Sequence, residues 1–175
     1  MKGLYSMLFI SFCLLYSSTK AQSVDAVFLD AAYKRLVNSK SYSLEVAALM
    51  PAAHYSFKPS PDEMTFAEQL LHVCGNLRWL SSEYLKGKED PLMNSYKGSN
   101  KDSILSVLNK TYDYALRSMA EFPAAQLPDS VEFFAGPMTK LQIINLINDH
   151  QTHHRGQIIV YLRMKGIKPP AYRGW

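Results

Sequence analysis

This sequence predicts an all-α fold, a four-helix bundle. Four stretches, each about two dozen residues long, repeat apolar side chains at helical spacing. Almost nothing alternates apolar and polar residues as a half-buried strand does. Long amphipathic helices without a sheet bury their apolar faces against one another. The chain has 175 residues, enough for one domain and hardly two, and at 47% apolar it can bury a core.

The first residues read as a secretory signal peptide, residues 1–21, with the mature domain over 22–175. Lys2 gives the positive start, Leu4 to Tyr16 is nearly all apolar, and small residues lead to Ala21 before Gln22. An uncleaved membrane anchor is the other reading, but the apolar run is short for a bilayer. The expected location is therefore periplasmic or extracellular, with no membrane span after cleavage. The net charge is +4; removing Lys2 and Lys20 leaves 17 basic against 15 acidic residues, or +2. With the basic residues scattered, no nucleic-acid partner is expected. Of the two cysteines, cleavage removes Cys13 and leaves Cys74 alone, which rules out an internal disulfide and favours a buried thiol.

The first helix is expected from Ser23 to about Met50, with a kink or break at the polar Asn38-Ser39-Lys40-Ser41, and Pro51 ends it. A proline-bearing linker, Ala52 to Met64, follows and carries His54, expected at the surface or in packing. Thr65-Phe66-Ala67-Glu68 has the form of a capping box and opens the second helix, which runs to about Lys86. Phe66, Leu70, Val73, Leu77, Leu80 and Tyr84 form its apolar stripe. Beside that stripe runs a small, polar line of Glu68, Gln69, His72, Gly75, Asn76 and Trp79, suited to the wall of a site. Gly87 to Asn100 is a polar connection. The third helix is Lys101 to Phe122, closed by Pro123 and Pro128. Val131 to Phe134 suggests a short extended piece. Thr139 caps the fourth helix with Gln142 as partner, and Gly166 ends it after Lys165. All three connections are long enough to allow crossovers.

The fourth helix holds three of the five histidines, in Asp149-His150-Gln151-Thr152-His153-His154-Arg155-Gly156-Gln157. His150 and His154 lie one turn apart on one face, their Cβ atoms about 6 Å apart, so both can grip one metal ion. His72, on the polar side of the second helix, is the candidate third ligand. Three neutral imidazoles would leave positions open on a divalent ion, as catalytic sites do. A water held there would be acidified. His153 could replace His154 in an i, i+3 pair, or sit at the rim paired with Asp149. Arg155 either orients an anionic substrate or is solvated, Gly156 is expected to allow close helix packing, and Gln157 to hydrogen-bond a ligand histidine. Cys74, two positions from His72, points elsewhere.

The run His150 to Gln157, followed by Tyr161-Leu162-Arg163 and Gly166-Ile167-Lys168-Pro169-Pro170, resembles the C-terminal signature of the DinB/YfiT-like family, whose members are regarded as metalloenzymes. Phe66-Ala67-Glu68-Gln69-Leu70-Leu71-His72 is similar to that family's first-histidine motif, and Leu49-Met50-Pro51 to Lys58-Pro59 to its first linker. The resemblance covers almost all of the mature chain. It implies a bundle in up-down-down-up order. It also implies a three-histidine site for nickel, zinc or a similar divalent ion, falling on His72, His150 and His154. Relatives include thiol-dependent transferases and isomerases, and others are called hydrolases. Export sits poorly with small cofactor thiols. Two function classes remain open: a metal-dependent hydrolase or transferase for a small molecule, and a non-catalytic metal- or ligand-binding module of the envelope. The chain has no His-Glu-x-x-His motif to supply a general base. A homodimer is a further open expectation.

Overall fold

The computed structural model describes residues 23–85 and 100–175. The expected signal peptide lies outside the described residues, as does nearly all of the expected connection from Gly87 to Asn100. The main elements are α1 (Val24–Leu49), α2 (Phe66–Tyr84), α3 (Lys101–Ala120), a two-residue hairpin of β1 (Ser130–Val131) and β2 (Met138–Thr139), and α4 (Lys140–Met164).

Helix α1 starts where Ser23 accepts a hydrogen bond from the Ala26 amide. It then runs without the expected break at 38–41. Two of the polar residues there, Ser39 and Lys40, and Ser43 just beyond them have partners on neighbouring helices. Ser39 accepts from Arg155 at 2.9 Å, Lys40 pairs with Asp113 at 2.5 Å, and Ser43 shares a hydrogen bond with Tyr112 at 2.8 Å. Beyond α1, the Lys101 ammonium donates to the carbonyls of Ala48 and Met50, which the helix end leaves unsatisfied. Tyr55 is buried in the linker and donates to the Ala47 carbonyl, while its own carbonyl accepts from the Ala67 amide. The linker is thereby tied to both helices it joins.

The capping boxes at Thr65 and Thr139 form as expected, and Asn100 with Ser103 makes a third. At the other end of α4, Gly166 has φ 71°. Its amide donates to Arg163 and the next amide, of Ile167, donates to Leu162, which is a Schellman closure. The extended piece expected over Val131 to Phe134 is shorter. Val131 pairs with Met138, and Phe133 and Phe134 lie in the turn beyond.

Helix α1 packs on α3 and α4, and α2 packs on the same two, so α1 and α2 occupy one diagonal and α3 and α4 the other. The cross-helix bonds fix the directions. Between α1 and α4, Arg35 meets Asp149 and Ser39 meets Arg155, so these helices run parallel. Between α2 and α4, Gln69 meets Gln157 and His72 meets His150, an antiparallel pair. Between α1 and α3, Lys101 reaches Met50 and Tyr112 reaches Ser43, again antiparallel. The bundle is therefore up-down-down-up. Its core is apolar and continuous, with Leu36, Val46, Phe66, Leu77, Leu108, Tyr112, Ile144 and Leu162 inaccessible to solvent. No helix among the described residues is long and apolar enough to cross a membrane.

Candidate metal centre

Helix α4 presents His150 and His154 one turn apart, and the antiparallel α2 brings His72 against them. One ring nitrogen from each of the three lies within 4.8 Å of the others. The Nε2 atoms of His72 and His150 are 3.1 Å apart. Nitrogens bound about 2.0–2.1 Å from one tetrahedral ion would be about 3.3 Å apart, so this spacing suits a shared ion. The imidazoles are graded in exposure: His154 is buried, His150 half-buried and His72 open to solvent.

Burial, and then the neighbouring imidazoles, lower the pKa of both His150 and His154 to about 4. Both are therefore neutral near pH 7, the form that ligates. Nδ1 of His154 is 2.6 Å from Oε1 of Gln69. An amide oxygen only accepts, so His154 carries its proton on Nδ1, which leaves Nε2 as the nitrogen with a free lone pair. Gln69 is itself held: its Nε2 donates to Oε1 of Gln157, whose Nε2 lies 2.9 Å from Nε2 of His153. On His150, Nδ1 is buried without a partner among the described residues, while Nε2 faces His72. Three imidazoles and no thiolate or carboxylate form the group, a donor set that could hold a divalent transition-metal ion.

All three predicted ligands are thus brought together, and the rest of the histidine segment departs from expectation in particulars. His153 bonds Gln157 and not Asp149, which lies 3.9 Å from Arg35. Gln157 reaches His153 directly, and His154 only through Gln69. Arg155 is neither solvated nor aimed at a substrate. It is buried, donates to Ser39 and Thr152, and stacks 5.0 Å over the Tyr42 ring, which ties α4 to α1. Gly156 is exposed and nothing lies within 4 Å of where its Cβ would be, so it serves no close packing. Cys74 is buried, and burial pushes its thiol up to about 12, which makes it inert. His54 sits in a short 3-10 turn outside the cluster. Gln69 is the residue whose role the sequence did not disclose. Its place on the polar line beside His72 was the available signal.

A family model described as the DinB family matches residues 21–174. An uncharacterized protein of Bacillus subtilis (strain 168), YjoA, is 25% identical over 134 residues, which are 74% of this chain and 86% of YjoA. The crystal structure of the DinB-like YjoA of Bacillus subtilis resembles this fold with a TM-score of 0.69 at 18% identity, covering 81% of this chain and 96% of that one. A DinB-like protein from Bacillus cereus ATCC 10987 gives a TM-score of 0.71 at 17% identity, covering 82% and 97%. At these identities the two structures speak to the fold alone. The family match is broader in kind, since it spans all four helices and all three clustered histidines, and by it this chain belongs to the DinB family.

Proposed function

We propose that the protein binds one divalent ion, zinc or nickel, through His72, His150 and His154, and that it is a metal-dependent hydrolase or transferase acting on a small molecule. One observation carries the reading: three imidazole nitrogens from two different helices lie within 4.8 Å of one another, two of them on rings held neutral. An ion bound there supplies Lewis acidity toward an oxygen or sulfur of the substrate. The chain's own groups do the rest. Gln69 fixes the tautomer of His154. The low basicity of His150 and His154 keeps their lone pairs available at neutral pH. His72, at the solvent edge, marks the side from which a small molecule reaches the centre.

A ligand set of three leaves coordination positions free, which favours an enzyme over a storage or structural site. The alternative is a non-catalytic metal- or ligand-binding module of the envelope.

Metal analysis and calorimetry on the purified protein test the proposal. One equivalent of zinc or nickel is expected. His72→Ala, His150→Ala and His154→Ala should each lower affinity strongly and abolish any activity, while His54→Ala does neither. Wild-type affinity in His72→Ala would refute the three-histidine site. Tight zinc binding with no affinity for an added small ligand such as acetohydroxamate would instead favour the non-catalytic module.

A further inference from the structure

Two turns along α2 from the histidines lies a group of aromatic rings that the bundle core does not enclose. Trp79 is 38% exposed and Phe134 is 84% exposed. Trp79 stacks on Phe133 at 5.5 Å with 26° between the planes, and on Phe134 at 6.1 Å with 30°. Phe133 and Phe134 are 4.3 Å apart, and Tyr84 closes the group against Trp79 and Phe133. The turn from Phe133 to Gly136, closed by a 2.9 Å backbone bond, holds Phe134 out in solvent. An exposed phenylalanine gains little for the fold where it stands.

Its position relative to the metal centre gives the shelf a use. Trp79 follows His72 by seven residues, which places it on the same helix face, about 20° round and about 10 Å along the axis. The ground between is open at Gly75, where nothing lies within 4 Å of where a Cβ would be. The other exposed large apolar side chains, such as Val27 on α1, Val160 on α4 and Trp175 in the tail, sit on other elements. Among the described residues the shelf is the group of Trp79, Tyr84, Phe133 and Phe134, smaller than the face a protein partner covers.

We infer that the substrate pairs a metal-ligating head, anionic or carbonyl, with a planar apolar group about 10 Å away, and that Trp79, Phe133 and Phe134 receive the planar group. The inference rests on the metal-centre reading above and adds the class of substrate to it.

The test uses zinc-loaded protein and two kinds of probe, acetohydroxamate and a series of phenylalkyl hydroxamates of increasing chain length. Calorimetry gives the affinities. In a Trp175→Phe background Trp79 is the one remaining tryptophan, and its emission reports contact with the phenyl ring. Affinity should rise by about tenfold or more over acetohydroxamate when the chain spans the gap, with Trp79 emission quenched. Phe134→Ala and Trp79→Ala should each cancel that gain and leave the affinities for zinc and acetohydroxamate unchanged. If zinc and acetohydroxamate bind but no phenyl compound gains, this inference falls and the metal centre stands. If neither zinc nor nickel binds, both fall. A dimer that Phe134→Ala dissociates would assign the shelf to a second copy of the chain and would also overturn the inference.

Discussion

Gln69 decides more at the three-histidine cluster than its residue type suggests. A histidine offers a lone pair in a fixed direction only if its other nitrogen is held, and Gln69 holds Nδ1 of the buried His154 at 2.6 Å. Gln69→Leu keeps the volume and removes the acceptor. It should weaken zinc affinity by about 10–100-fold, measured by competition with a chelator, with the helical circular dichroism unchanged. His153→Ala acts through two intervening amides and should cost less than Gln69→Leu. A larger loss in His153→Ala would contradict the chain of bonds as described. The His150–His154 pair was legible in the sequence because spacing within one helix sets their relation before any tertiary contact. His72 was legible from its polar neighbours and from the family resemblance. Gln69 and Arg155 were not, because each role depends on which helix lies across from it. Arg155 looked like a free cation beside the ligands and is in fact a buried link between α4 and α1.

Helix boundaries were the most legible elements, since they are written in local chemistry. Thr65 with Glu68, Thr139 with Gln142, and Gly166 all do what their residue types suggest. The polar middle of α1 misled because propensity counts Asn38 to Ser41 as weak helix formers, while the folded bundle satisfies Ser39 and Lys40 from α4 and α3. Two glycines of α4 and its end separate these effects. Gly156 is mid-helix, exposed, and surrounded by open space, so it contributes only backbone freedom to the unfolded chain. Gly156→Ala should stabilise the protein by about 0.5–1 kcal/mol. Gly166 has φ 71° with equally open space, so Gly166→Ala should instead destabilise by about 1 kcal/mol through backbone strain alone. Urea denaturation of the two variants, read against the parent, checks the opposite signs. Equal shifts in one direction would mean that the end of α4 does not need the left-handed residue.

At the scale of the whole molecule, the helix count was legible from periodicity, while the order of the helices came from the resemblance. Connections of this length do not choose between topologies; the pairing of Arg155 with Ser39 and of Lys101 with the end of α1 does. Export is a proposal that rests on residues 1–21. Expressed in a Gram-negative host, the protein should lose those residues and be recovered from the periplasm, which intact-mass measurement decides. A full-length cytoplasmic product would refute export and revive a thiol-transferase reading. The three-histidine cluster sits at the α2–α4 seam, beside an apolar core that extends through all four helices. Folding is therefore expected not to depend on an ion bound there, unlike a small zinc domain whose binding energy is its folding energy. Protein stripped by a chelator should keep its helical spectrum and unfold cooperatively. Adding zinc should then raise stability by mass action alone, by about 2.7 kcal/mol when free zinc is 100 times the dissociation constant. His72→Ala should remove that increment and leave the stability of the stripped protein close to the parent's, because His72 is exposed and contributes little packing. Thermal unfolding of parent and variant, with and without zinc, measures all four corners of this cycle. Collapse of the stripped parent to an unfolded spectrum would mean that the ion is part of the fold, and that the apolar core alone does not hold α2 against α4.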